Sequence, residues 1–199
     1  MIDNWIRERL PGYTKGLLSF YKKLGLTPNG VTWLGFFLAS ASALLIAKGL
    51  LFSALCVWWV GRIADGTDGI YARELGVSSQ FGAYLDIVLD MAGYSVMIIG
   101  FYWQFPDLVV LWGGILFLYV LCIASALALG QGQAVMGSKA RDNRGLRLGA
   151  GLAEAGETGI AYSLFLVFPQ YLPYLACIWV AVLFVTVVAR TILASRVLR

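Results

Sequence analysis

The 199-residue chain has no histidine and only three cysteines, Cys56, Cys122 and Cys177, none of them in a paired or CxxC spacing. Zinc and iron sites, which rely on imidazole and thiolate, are therefore not expected. Each cysteine lies in an apolar run and is expected to be a small core hydrophobe. Charge is scarce too, at 13% of residues against 60% hydrophobic, with a mean hydropathy of +0.78. Those values exclude an ordinary soluble domain and point to a membrane protein. The length allows about six spans of roughly 20 residues with short connections and leaves no room for a separate soluble catalytic domain. No removable signal peptide is visible, because the N-terminus is mixed polar and the first long apolar run begins after residue 30. A net charge of +4 would suggest nucleic acid in a soluble protein. Here the basic residues cluster between apolar runs, which is topology signalling, and no nucleic-acid partner is expected.

Against that background, four aspartates stand within one short stretch: Asp65-x-x-Asp68-Gly69-x-x-Ala72-Arg73, eight residues, then Gly82-x-x-x-Asp86-x-x-x-Asp90. On helices, spacings of three and four put each aspartate pair on one face, close enough to share a ligand. Four anions at membrane depth repel one another and cost several kcal/mol each unless compensated, so the cluster calls for cations or a water-filled cavity. An all-oxygen donor set takes a hard ion: Mg²⁺, Mn²⁺ or Ca²⁺. Arg62, Asp65, Gly69 and Arg73 recur at three, four and four, which alternates charge along one helical stripe. Gly82, one turn before Asp86, suits either a flat ligand near the backbone or close helix packing.

The pattern D-x-x-D-G-x-x-A-R-x8-G-x3-D-x3-D, met here without exception, resembles the signature of the CDP-alcohol phosphotransferase (phosphatidyltransferase) family, whose members are six-helix membrane enzymes. The resemblance implies phospholipid synthesis: an acceptor hydroxyl attacks the lipid-side phosphorus of a CDP-lipid such as CDP-diacylglycerol and releases CMP, with Mg²⁺ or Mn²⁺ as cofactor. It implies that Asp65, Asp68 and Asp86 hold the metal, while Asp90 joins them or takes the acceptor's proton, so that Asp86 and Asp90 are the catalytic candidates. It further implies that Arg73 lies against the pyrophosphate and that Gly69, Ala72 and Gly82 leave room for cytidine and ribose beside Asp68. A Pro-Asn-x-x-Thr stretch next to the nucleotide adds Asn29 and Thr32 to the CDP-binding set. The family's Glu-Arg-x-Glu near the fifth span is replaced here by Glu154-Ala155-Gly156-Glu157. A working homodimer is also implied, to which Gly145-x-x-x-Gly149 adds a small-residue spacing.

Taken in order, the all-α chain is expected as one domain, 1–199. Residues 1–27 read as a broken amphipathic helix on an anionic leaflet, in contact with membrane lipids, and 28–199 as six transmembrane helices. Pro28 opens the first span with Asn29 placed to cap it; the first turn falls at Lys48-Gly49; Ser78 or Ser79 caps the third span. Counted from a cytoplasmic N-terminus, every Lys and Arg except Lys48 falls inside. That predicts cytoplasmic termini and a cytoplasmic active site in a prokaryotic inner membrane. Lys139, Arg141 and Arg190 are candidates for an anion pocket that favours glycerol phosphate, inositol phosphate or serine as the small alcohol acceptor; topology signalling accounts for them equally. Two other classes use similar residues. An aspartate-rich Mg²⁺-dependent prenyltransferase would need a second, distant Asp-rich motif, and a cation transporter would spread its aspartates over repeat-related helices.

Overall fold

The computed structural model describes residues 14–135 and 155–198, and every regular element among them is helical. The chain forms two compact units, Met1–Pro106 and Asp107–Arg199. The first holds α1 (Lys15–Lys23), α2 (Pro28–Ala47), α3 (Leu51–Glu74) and α4 (Gln80–Gln104). The second holds α5 (Val109–Val135), α6 (Ala155–Val167) and α7 (Leu172–Val197). Among the described residues, four stretches are long and apolar enough to cross a membrane: Pro28–Ala47, Gln80–Gln104, Pro106–Val135 and Pro169–Val197. α3 is as long as these but carries Arg62, Asp65, Asp68, Arg73 and Glu74. The described part of α6 is 13 residues, too short to span a bilayer by itself. The segment before residue 14, Lys139, Arg141, the Gly145/Gly149 pair and Glu154 lie outside the described residues.

In the first unit α2 packs against both α3 and α4 along a stripe of small residues, Gly35, Ala39 and Ala43, spaced by four. A Cβ placed on Gly35 would lie 3.2 Å from the Cβ of Asp65, and one on Gly61 would lie 3.3 Å from the Gly35 carbonyl oxygen. The backbones of α2 and α3 thus touch directly beneath the first aspartate. On the other flank, a Cβ on Gly100 of α4 would fall 2.6 Å from the Ala43 carbonyl oxygen and 2.9 Å from its Cα. Because lipid gives helices no hydrophobic reason to associate, close approach through small residues supplies the packing that holds them together. Gly100→Ala must therefore separate α2 from α4. The expected cost is about 1–3 kcal/mol, read as a lower unfolding temperature in detergent, with Gly113→Ala, where an added Cβ meets nothing within 4 Å, as the unaffected control.

Local signals set the helix ends, with one correction to the sequence-based expectation. Thr27, not Asn29, caps α2: its side chain accepts from the Gly30 amide at 3.1 Å, and Pro28 takes the first helical position. Proline lacks an N–H and suits the first helical position, so the cap forms two residues earlier than expected and Asn29 is left inside the first turn. Ser79 caps α4 as expected, accepting from the Gly82 amide at 3.0 Å. Gly49 and Gly76 take positive φ, 74° and 68°, in the turns that follow α2 and α3. The cysteines also depart from expectation: Cys56 and Cys177 are exposed and Cys122 is half-buried. A helix bathed in lipid is apolar on all sides, so an apolar neighbourhood does not mark the core.

The helix α1 docks on the outside of α3. Leu18 and Tyr21 are buried against Val31, Ala64 and Tyr71, the Tyr21 and Thr67 hydroxyls are 3.1 Å apart, and Tyr71 donates to the Leu26 carbonyl at 2.9 Å. In the second unit, α5 and α7 pack around buried Trp112, Ile115 and Leu183. The Trp179 indole N–H donates to the Tyr119 hydroxyl at 3.0 Å, which lies 2.9 Å from the Tyr162 hydroxyl of α6.

Candidate metal and nucleotide site

The turn at Gly76 reverses the chain between α3 and α4, which both pack on α2, and the two halves of the aspartate pattern come face to face. Asp65, Asp68 and Asp86 each offer a carboxylate oxygen, and these oxygens all lie within 4.8 Å of one another. In an octahedron with 2.0–2.1 Å metal–oxygen bonds, adjacent ligands are about 2.9 Å apart and opposite ones about 4.2 Å. The trio is thus near enough to close on Mg²⁺ or Mn²⁺ through rotation of its side chains. The donor set is all oxygen and the described residues contain no histidine, so the site fits a hard divalent ion and no softer one.

Asp90, the fourth aspartate, is not part of that trio. Both terminal nitrogens of Arg62 reach its Oδ1 at 2.9 Å, and the same guanidinium pairs with Asp65 Oδ2 and donates to the Tyr94 hydroxyl at 2.6 Å. The guanidinium carbon is 5.2 Å from the ring centroids of both Trp58 and Tyr94, an aromatic box that strengthens a desolvated cation. The sequence showed Arg62 on the aspartate stripe but not that it reaches across to α4. The Trp58-x-x-x-Arg62 spacing, one helical turn, was the available signal for the box.

Thr32 lies beneath the site, 3% exposed, and its hydroxyl donates to Asp68 Oδ2. Asn29 and Gly82 meet as neighbours: a Cβ on Gly82 would be 3.3 Å from Asn29 Oδ1. Gly69 and Arg73 are also adjacent, since a Cβ on Gly69 would lie 3.5 Å from an Arg73 guanidinium nitrogen. Ala72 is half-buried on the same helix, and Arg73 is exposed at its end. Apart from the two basic residues outside the described region, the expected site residues of the first unit are thus brought to one end of α2, α3 and α4. Outside the spans, the Lys22 ammonium donates to Glu74 at 2.7 Å, which pushes its pKa up. Burial holds the Tyr21 phenol above its ordinary value, with Asp68 adding to the effect.

Arg190 belongs to the second unit. It is 5% exposed and donates to the Cys122 carbonyl and, at 3.2 Å, to Ser125 Oγ. Topology signalling requires only a charge at the membrane surface, not a buried guanidinium held by polar groups of the neighbouring helix.

Residues 25–188 match the CDP-alcohol phosphatidyltransferase family. The chain belongs to that family. Among curated relatives of this phosphatidyltransferase, the inner membrane protein YnjF of Escherichia coli strain K12 is 30% identical over 96% of this chain and 93% of its own length. A phosphatidylinositol phosphate synthase of Mycobacterium marinum is 32% identical over 80% of this chain and 68% of its own. The Mycobacterium tuberculosis phosphatidylinositol phosphate synthase has been solved with CDP-DAG bound. That structure superposes with a TM-score of 0.67 at 26% identity, covering 91% of this chain and 92% of the other. The same protein in complex with manganese and citrate gives a TM-score of 0.64 at 26% identity, covering 91% and 88%. This phosphatidyltransferase is an integral membrane enzyme of phospholipid synthesis. It transfers a phosphatidyl-type group from a CDP-lipid to an alcohol with release of CMP, using Mg²⁺ or Mn²⁺. The prenyltransferase and transporter readings fall away with that membership.

Proposed function

We propose that the enzyme moves the phosphatidyl group of CDP-diacylglycerol to a phosphorylated or carboxylated alcohol, with Asp65, Asp68 and Asp86 as metal ligands and the cytoplasmic side as the place of reaction. The observation that carries this reading is the convergence of those three carboxylates within 4.8 Å in a chain of this family. A bound divalent ion neutralises pyrophosphate oxygens and makes the phosphorus more electrophilic. Arg73, leaning toward Gly69, receives the pyrophosphate charge, and Gly69, Ala72, Gly82 and Asn29 frame the cytidine and ribose. The acceptor oxygen bonds to the lipid-side phosphorus as the bond to CMP breaks. Arg62 occupies Asp90 Oδ1, and Oδ2 takes the acceptor's proton.

The family match runs across both compact units, which supports one catalytic domain over 1–199. In this reading α3 and α6, with its preceding residues, complete six spans, and α1 belongs to an amphipathic helix on the inner leaflet. Its basic residues Lys15, Lys22 and Lys23 beside buried Leu18 and Tyr21 support that placement. The termini lie on the cytoplasmic side of a prokaryotic inner membrane, and the working form is a homodimer.

Lys139, Arg141 and Arg190 supply the positive charge that attracts the acceptor's anionic group. The test is CMP release from CDP-diacylglycerol by purified protein on adding glycerol phosphate, inositol phosphate or serine, which identifies the acceptor by which one drives turnover. With that acceptor, Arg190→Ala raises its KM about 10-fold, on the order of 1.4 kcal/mol, and leaves the KM for CDP-diacylglycerol nearly unchanged. Equal changes in both constants, or none, would remove the anion pocket.

A further inference from the structure

The helix α1 carries three lysines and no acidic residue over its nine positions. An isolated helix this short is marginal in water, so its surroundings hold it. One side is held by protein, where Leu18 and Tyr21 are buried against Val31 of α2 and Ala64 and Tyr71 of α3. Val31 belongs to the first turn of a stretch apolar enough to cross a membrane, which sets α1 at the border of the apolar layer. The next flank of the helix is open. Phe20 and Leu24, four residues apart, are 54% and 57% exposed, and Lys15 and Lys23 are exposed farther round the helix. Two large apolar side chains next to a row of lysines match the boundary between acyl chains and anionic headgroups. A second copy of the same face would set lysines against lysines.

The segment is also tied to α3 by three polar contacts. The Thr67 hydroxyl gives its one proton to the Ile63 and Ala64 carbonyls at 2.8 and 2.9 Å, so the Tyr21 hydroxyl, 3.1 Å away, donates to it. Tyr71 donates to the Leu26 carbonyl at 2.9 Å, and Lys22 to Glu74 at 2.7 Å. Thr67, Tyr71 and Glu74 follow at spacings of four and three, which is one face of α3. Thr67 directly precedes Asp68, and the two carbonyls it meets belong to the residues just before Asp65. The ties therefore grip the turns that carry two of the aspartates.

We propose that α1 is a lipid-responsive brace: seated on an anionic lipid surface through Phe20, Leu24, Lys15 and Lys23, it steadies the aspartate-bearing end of α3 through Tyr21, Tyr71 and Lys22. This rests on the reading of α1 as an interfacial helix and adds what that contact does for the site. A surface that binds the docked helix makes undocking rarer. Each lysine close to anionic headgroups contributes about fivefold; Lys22 is held by Glu74, which leaves Lys15 and Lys23 for the lipid.

The experiment is hydrogen–deuterium exchange, read by mass spectrometry, on purified full-length protein in nanodiscs of phosphatidylcholine alone or mixed with phosphatidylglycerol. In the mixed discs, amide exchange in 15–23 and in 63–74 is expected to slow at least about fivefold. Lys15→Gln combined with Lys23→Gln is expected to lose that response in both segments, and Phe20→Ser to speed exchange in 15–23 in either disc. Tyr21→Phe keeps the ring and removes the donor, so the response of 15–23 is expected to persist and that of 63–74 to weaken. A response confined to 15–23 in the wild type would overturn the brace and leave the interfacial reading standing. Equal exchange of 15–23 in the two discs would overturn the interfacial reading itself. If phosphatidylglycerol has no effect and Phe20→Ser converts a dimer in detergent to a monomer, the open flank belongs to a second copy and the proposal falls.

Discussion

Asp68→Asn and Asp86→Asn will each lower CMP release about a thousandfold or more, on the order of 4 kcal/mol of transition-state stabilisation, with the protein still folded and monodisperse in detergent. The substitution keeps the shape of the side chain and removes its charge. Asp68 is 8% exposed and shares its trio with only two other carboxylates, so its loss leaves two anionic ligands for a hard ion that prefers several. Asp65→Asn will be as inactive but is a less selective probe, because Asp65 also anchors Arg62. Excess EDTA on the wild type should reproduce the loss, and Mg²⁺ or Mn²⁺ should reverse it. Turnover undiminished in EDTA would refute the role assigned to the trio.

A second large effect is expected from a residue that touches no metal. Thr32→Val removes the hydroxyl that holds Asp68 Oδ2 while keeping the volume of a side chain that is 3% exposed. Partners that orient a ligand are typically worth about 10–100-fold in metal affinity. The Mn²⁺ concentration needed for half-maximal turnover at saturating CDP-lipid should rise by that factor, and Thr32→Ser should restore it. If Thr32 instead contacts the nucleotide, as the family resemblance implies, the KM for CDP-lipid will rise and metal activation will stay put. The two readings separate in a single set of titrations.

How far the sequence reaches depends on whether a feature is local. The meeting of the two aspartate pairs was legible because helical spacing and one short turn bring them together, and the Ser79 cap and the Gly49 turn are equally local. The role of Asp90 was not legible: on spacing alone it equals Asp86, and only the tertiary structure shows that Arg62 reaches from α3 to meet it. The cap was misplaced by two residues because Thr27 and Asn29 both flank Pro28 and both suit a cap. What distinguished them was the Gly30 amide, which Thr27 satisfies. Thr32 was identified as a site residue, but its bond to Asp68 depends on how closely α2 approaches α3, and that is set by Gly35 and Gly61. The exposed Cys56 and Cys177 show the reverse limit: in a chain this apolar, hydrophobicity no longer tells inside from outside.

The turn at Gly76 also governs the order in which the protein is made. With α3 and α4 both packed on α2, the contacts that build the cation site close short loops, 36 residues from Thr32 to Asp68 and 28 from Arg62 to Asp90, at little entropic cost. All of these residues lie in the unit that ends at Pro106. Synthesis runs from the N-terminus and domains fold as units, so contiguous chain can complete the carboxylate cluster while α5 to α7 are still to be translated. The charges that are most costly to leave bare in a bilayer are therefore the first to find partners.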